Sequence, residues 1–107
     1  MMLDLNELEQ FVTFAKYGTL SKTAEILNIS QPTITRTMQH VEEAFEVTLF
    51  ERGKNRIALN ETGEKAVECA EKLLREAENA IQTVQTFDKN MHTIKVESCA
   101  PAPLWTL

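Results

Sequence analysis

At 107 residues, 43% of them hydrophobic, the chain has the length and the apolar share for one ordinary domain, or for a small domain with one long additional element. Its two cysteines, Cys69 and Cys99, make neither a disulfide framework nor a redox pair; no apolar run approaches the ~18 residues of a membrane span, and no basic leader precedes an apolar segment, so a cytoplasmic protein is expected. The net charge of −5 excludes a uniformly basic nucleic-acid-binding surface but not a segregated one, because binding follows local charge.

Asp4 and Glu7 stand three residues apart, as in a capping box with Asp in place of Ser or Thr. Leu5, Leu8, Phe11, Val12 and Ala15 follow at helical spacing, with Phe14 beside them, and Gly18 supplies a left-handed terminator. A second helix starts at Thr19 or Leu20, turns Ala24 and Leu27 inward and stops at Asn28. Ser30 caps a third, with Pro32 in the first turn, where its missing N–H is harmless. Two short helices around a tight turn, the second opening Ser30-Gln31-Pro32, form the pattern of a helix-turn-helix whose second helix offers polar side chains to base edges. Ile34, Met38, Val41 and Phe45 make one apolar stripe on that helix, and Thr33, Thr35, Arg36, Thr37, Gln39 and His40 make the opposite face.

Val47 to Phe50 and Arg56 to Leu59 are β-prone runs around Gly53-Lys54-Asn55 and predict a small hairpin. Charge is segregated here. Ser30 to Val41 carries Arg36 and no acid, and Arg52 to Arg56 carries three bases and no acid. The footprint is small, so modest non-specific affinity and a need for a dimer or larger assembly are expected.

From Asn60, a good N-cap followed by Glu61 and Glu64, the period becomes that of a long helix. Ala70, Leu73, Ala77, Ala80, Val84, Phe87 and Met91 alternate by three and four, with Val67, Leu74 and Ile81 widening the seam. A helix from Glu61 to Lys89 would be roughly 43 Å long, more than a small domain covers. Val67, Ala70, Leu73, Leu74, Ala77, Ile81, Val84 and Phe87 are therefore candidate dimerisation residues. Thr93 to Glu97 alternates like a strand, and Cys99 to Leu107 contains proline and an exposed-looking Trp105. The predicted fold is mainly α: a winged helix-turn-helix of three helices and a short β-hairpin wing over residues 1–60, a long dimerisation linker helix over 61–90, and over 91–107 a hinge and the first strand of a further domain cut short.

These residues carry a resemblance. Phe11-Val12, Gly18-Thr19-Leu20-Ser21 with Ala24 and Leu27, Ser30-Gln31-Pro32-Thr33-Ile34-Thr35, Val41-Glu42-Glu43, Leu49-Phe50-Glu51-Arg52 and Leu59-Asn60-Glu61-Thr62-Gly63 are similar, in order and spacing, to the N-terminal signature of LysR-type transcriptional regulators. The resemblance implies sequence-specific binding of double-stranded promoter DNA, a homodimer through the linker helix, tetramers in many members, and a small-molecule effector bound by a domain almost wholly missing here. No cofactor is expected in this portion. Where the family usually has glycine this chain has Glu46. A left-handed Glu costs around 1 kcal/mol, so a corner built in another way is expected.

In that frame Gln31 can pair with adenine N6 and N7, Pro32 and Thr33 offer apolar atoms to a thymine methyl, and Thr35 and Arg36 lie one turn in, Arg36 suited to guanine or a phosphate. Gln39 and His40 lie further along, His40 as a phosphate contact or plain surface. Thr19, Ser21 and Lys22 at the start of the second helix suit a phosphate, and Arg52, Lys54 and Arg56 suit a flanking minor groove or its phosphates. No catalytic constellation emerges: His40 and His92 lie in separate elements, the glycines Gly18, Gly53 and Gly63 are isolated, and the cysteines and histidines lack metal-site spacing, so no enzyme is expected. Two other readings stay open: a complete small winged-helix regulator of another family, and a helical protein–protein interaction module without DNA binding.

Overall fold

The computed structural model describes residues 3–54 and 56–97. Helix α1 (Leu5–Tyr17) opens with a reciprocal capping box: the Asp4 carboxylate accepts from the Glu7 N–H at 2.8 Å, and the Glu7 carboxylate accepts from the Asp4 N–H at 3.2 Å. It closes on Gly18 at φ 84°, a conformation that strains any other L-residue, and the Gly18 N–H donates to the Phe14 carbonyl. Helix α2 (Leu20–Leu27) is capped by the Thr19 hydroxyl, which accepts from the Lys22 N–H, and ends on Asn28 at φ 57°. Helix α3 (Gln31–Phe45) starts from Ser30 with proline in its first turn.

α3 ends on Glu46, which stands in the left-handed region at φ 61°, its N–H shared between the Glu42 and Glu43 carbonyls. The corner is thus the left-handed one, with glutamate where the resemblance led us to expect another geometry. The two carbonyl bonds and the packing of α3 offset the steric cost.

Strands β1 (Phe50–Gly53) and β2 (Arg56–Leu59) pair antiparallel, Phe50 opposite Leu59 and Gly53 opposite Arg56. The first strand, expected from Val47, begins three residues later, at Phe50, because the Leu49 N–H donates to the Glu42 carboxylate. The Thr48 carbonyl is likewise taken, by the Asn60 side-chain amide, and backbone groups bound to side chains are not free to extend the ladder.

Helix α4 (Glu61–Glu97) runs 37 residues, so Thr93 to Glu97 is helical, and neither the predicted strand nor a hinge interrupts residues 91–97. The period-two alternation there loses to helix continuation. A helix that continues from residue 92 satisfies the backbone groups internally. Cys99 and Trp105 lie outside the described residues.

Contacts divide the chain into two units, Met1–Leu74 and Arg75–Leu107. The first has one core, built from Leu8, Phe11 and Phe14 of α1, Ile34, Met38 and Val41 of α3, Leu49 and Phe50 at the wing, and Ala66 and Ala70 of α4. Phe50 sets its ring edge-on to Phe11 and Phe14, with centroids 5.9 and 5.8 Å apart. Leu5 and Thr37 depart from their predicted faces. Leu5, in the first turn, is exposed, while Thr37 is buried because it shares the Ile34–Met38–Val41 face at helical spacing.

Ala70, predicted in the dimer seam, is instead fully buried in the core of its own chain, while Val67 and Leu74 pack against that core and stay partly exposed. Leu73 is 52% exposed. In the second unit the described residues continue α4, with Ala77 half-buried and Ile81, Val84 and Phe87 exposed. No helix among the described residues is long and apolar enough to cross a membrane.

Gly63 is more than the punctuation its isolation in the sequence implied. A Cβ built there would stand 2.2 Å from the Leu49 carbonyl oxygen. The first turn of α4 therefore lies directly on the backbone leading into the wing. Asn60 ties the same corner: its side-chain amide donates to the Thr48 carbonyl at 3.1 Å, and its side-chain oxygen accepts from the Gly63 N–H at 2.7 Å.

Candidate nucleic-acid interface

Gln31, Thr35 and Gln39 stand four residues apart on α3, one row of the helix surface, and all three border a single open groove of about 740 Å³. The groove's second wall is the start of α2, with Thr19, Leu20 and Ser21. Its third is the wing, with Arg52, Gly53, Arg56 and Ile57. Two helix N-termini, those of α2 and α3, present their partial positive charge to it. Among the described residues its lining holds two guanidinium groups and no carboxylate. The acids Glu42, Glu43 and Glu46 line an adjoining depression that shares Gln39 and Arg52 with the groove. A chain of net charge −5 thus keeps one locally cationic, anion-accepting face.

The other candidates fall in several places. Arg36 is exposed but borders a smaller cleft, of about 440 Å³, between α1 and α3, together with Glu7, Gln10, Thr33, His40 and Glu43. Pro32 is exposed in the first turn of α3, and the Thr33 hydroxyl is hydrogen-bonded to the Ser30 hydroxyl at 2.8 Å. Lys22 is exposed and lies 3.9 Å from Glu25 along α2, outside the groove lining. Lys54 is exposed at the wing tip, also outside the lining, and Asn55 lies outside the described residues. His40 does not stand on the open face as read from the sequence: its ring Nδ1 is bonded to the Glu7 carboxylate of α1 and is half-buried. Glu7 so serves the capping box with one oxygen and α3 with the other, which ties the two helices together.

Two residues that hold the site together escaped the sequence reading as such. Thr23, fully buried in α2, donates its hydroxyl to the Thr19 carbonyl at 2.8 Å and anchors the turn bordering the groove. Glu42 accepts from both the Leu49 and Phe50 N–H groups and joins the wing to α3. Buried threonine and capping carboxylate leave no periodic trace. On α4, away from the groove lining, the Lys65 ammonium hydrogen-bonds Glu68 at 3.0 Å, which raises the lysine pKa and lowers that of the glutamate. Both groups are fully solvated, and the pair adds little to stability. Among the described residues no group of three or more His, Cys, Asp or Glu is arranged to hold a metal ion.

A helix-turn-helix whose second helix exposes a polar row beside a basic hairpin defines a winged DNA-binding domain. Residues 5–64 match the bacterial regulatory helix-turn-helix proteins of the lysR family. The chain belongs to that family of transcriptional regulators. Among its curated relatives, the HTH-type transcriptional regulator YtlI of Bacillus subtilis is 41% identical over 76 residues, which cover 71% of this chain and 24% of that protein. CfxR of Cupriavidus necator is 30% identical over 95 residues, covering 86% of this chain and 30% of that protein. The chain spans about a quarter to a third of the length of these relatives. In solved structures, the DNA-binding domain of CbnR in complex with DNA superimposes with a TM-score of 0.75 at 30% identity, over 79% of this chain and 98% of that one.

Proposed function

We propose that this chain is the DNA-reading and dimerising portion of a LysR-type transcriptional regulator, acting in the cytoplasm by binding and not by catalysis. α3 enters a major groove of promoter DNA, Gln31, Thr35 and Gln39 meet base edges, and the start of α2 and the wing bases Arg52 and Arg56 hold the flanking phosphates. Arg36 contacts a base or phosphate from the edge of the same helix. Two copies join along the exposed part of α4, through Leu73, Ile81, Val84 and Phe87, and bring two recognition helices to successive half-sites. In the full-length protein a small molecule bound by a further domain tunes this binding, and dimers assemble into tetramers.

The observation that carries the reading is the single acid-free groove shared by the polar row of α3, the N-terminus of α2 and the two wing arginines. Selection of duplexes from a random pool, followed by fluorescence-anisotropy titration over a salt series, tests it. A defined sequence should emerge, and log affinity should fall against log salt with a slope near −0.9 per phosphate neutralised. Failure to enrich any sequence, together with salt-independent binding, would favour the protein–protein interaction module instead.

A further inference from the structure

An acid beside a DNA-facing groove carries the wrong sign for its ligand, and Glu42 is such an acid. Its side chain is only 17% exposed, and one of its oxygens accepts from two consecutive backbone donors, the Leu49 N–H at 2.8 Å and the Phe50 N–H at 3.1 Å. The other oxygen lies 3.5 Å from an Arg52 guanidinium nitrogen. The same guanidinium rests over the Phe50 ring, 5.9 Å from its centroid, and Phe50 is held in the core by Phe11 and Phe14. Arg52, which lines the groove, is therefore aimed from two sides: by a carboxylate on the recognition helix and by a ring fixed in the core.

The cost of this arrangement is electrostatic. The Glu42 carboxylate 3.5 Å away offsets part of the attraction Arg52 offers a phosphate, and an arginine without that partner would attract any duplex more strongly. The gain is geometric: α3 and the wing base move as one body, and contacts made in register by both survive only on a site that fits both.

We propose that Glu42 is a positioning residue for sequence discrimination: it ties Arg52 to α3 and trades indiscriminate phosphate attraction for register between recognition helix and wing. This rests on the DNA-binding reading above. Glu42→Gln is the informative change. Its amide oxygen still accepts from Leu49 and Phe50, but its charge is gone and its NH2 group turns Arg52 away.

The experiment titrates wild type, Glu42→Gln and Arg52→Met against a pool-selected duplex and a scrambled duplex of equal length, with hydrogen exchange at the Leu49 and Phe50 amides and thermal unfolding measured alongside. For Glu42→Gln the two affinities should move in opposite directions, the selected duplex binding more weakly and the scrambled one more tightly, so that their ratio falls by about tenfold. For Arg52→Met both affinities fall, the selected one more, and adding Glu42→Gln to it should change the ratio by less than about twofold. Affinities for both duplexes that fall together, in step with lost stability or faster amide exchange, would reduce Glu42 to a fold residue and overturn the proposal. An unchanged ratio in Glu42→Gln overturns it too, as does an unchanged ratio in Arg52→Met should the Glu42 variant not fold. Wild type that binds neither duplex sinks the DNA-binding reading itself, a result distinguishable from all of these.

Discussion

Replacing Gly63 by alanine pits helix propensity against tertiary contact, and the two predict opposite signs. Gly63 lies in the first turn of α4, where alanine should stabilise a helix by at most about 1 kcal/mol. The added Cβ, however, meets the Leu49 carbonyl oxygen at 2.2 Å, whereas Cβ atoms essentially never come within 3.0 Å of such a neighbour. The gap must open by most of an ångström, and neither side yields cheaply. Leu49 is fully buried, and its carbonyl accepts from the Asn60 N–H at 2.9 Å. Overpacking of this kind costs about 1–3 kcal/mol, and weakening that hydrogen bond costs about 1 kcal/mol more. After the propensity gain the net destabilisation is about 1–3 kcal/mol. Urea unfolding at fixed protein concentration, which holds any dimer contribution constant, should show the midpoint falling by about 1 M. An unchanged or higher midpoint would refute the reasoning, because it would mean that α4 does not press on the backbone leading into the wing.

Glu46→Gly should raise stability by about 0.5–1 kcal/mol, since glycine occupies the left-handed corner without steric cost, and a lower thermal midpoint would contradict that. Arg36→Ala should weaken binding to a selected duplex by about 1–3 kcal/mol in anisotropy titrations, and equal affinity would place the exposed guanidinium away from DNA. Leu73→Asp changes a side chain that is 52% exposed in the single chain, so the fold should persist while sedimentation equilibrium shows monomers. A surviving dimer would show that the interface lies elsewhere.

Local rules make much of this protein legible in its sequence. Asp4 with Glu7, Gly18, Thr19, Asn28 and Ser30 each announce a helix end through a side chain or a backbone preference acting within three or four residues, and each stands where it was read. The apolar stripe of α3 was equally plain, because burial of Ile34, Met38 and Val41 follows from spacing on one helix. The polar row of Gln31, Thr35 and Gln39 is the complement of that stripe, so its outward direction came with it.

What escaped depends on contacts between segments far apart in the chain. Seam positions along α4 look alike in sequence, yet Ala70 is buried within the fold while Leu73 is exposed, because the first turns of α4 close the winged core. His40 reads as surface until Glu7 of α1 is seen opposite it, and Val47 to Leu49 reads as strand until Glu42 and Asn60 take its backbone groups. Thr93 to Glu97 alternates like a strand but continues α4, whose helical hydrogen bonds need no partner segment. Capping, spacing and charge order act over one or two turns and are written in the chain itself. Which polar groups meet across the fold, and hence how Arg52 is aimed and which face of α4 stays open, depends on where packing the core brings distant residues together.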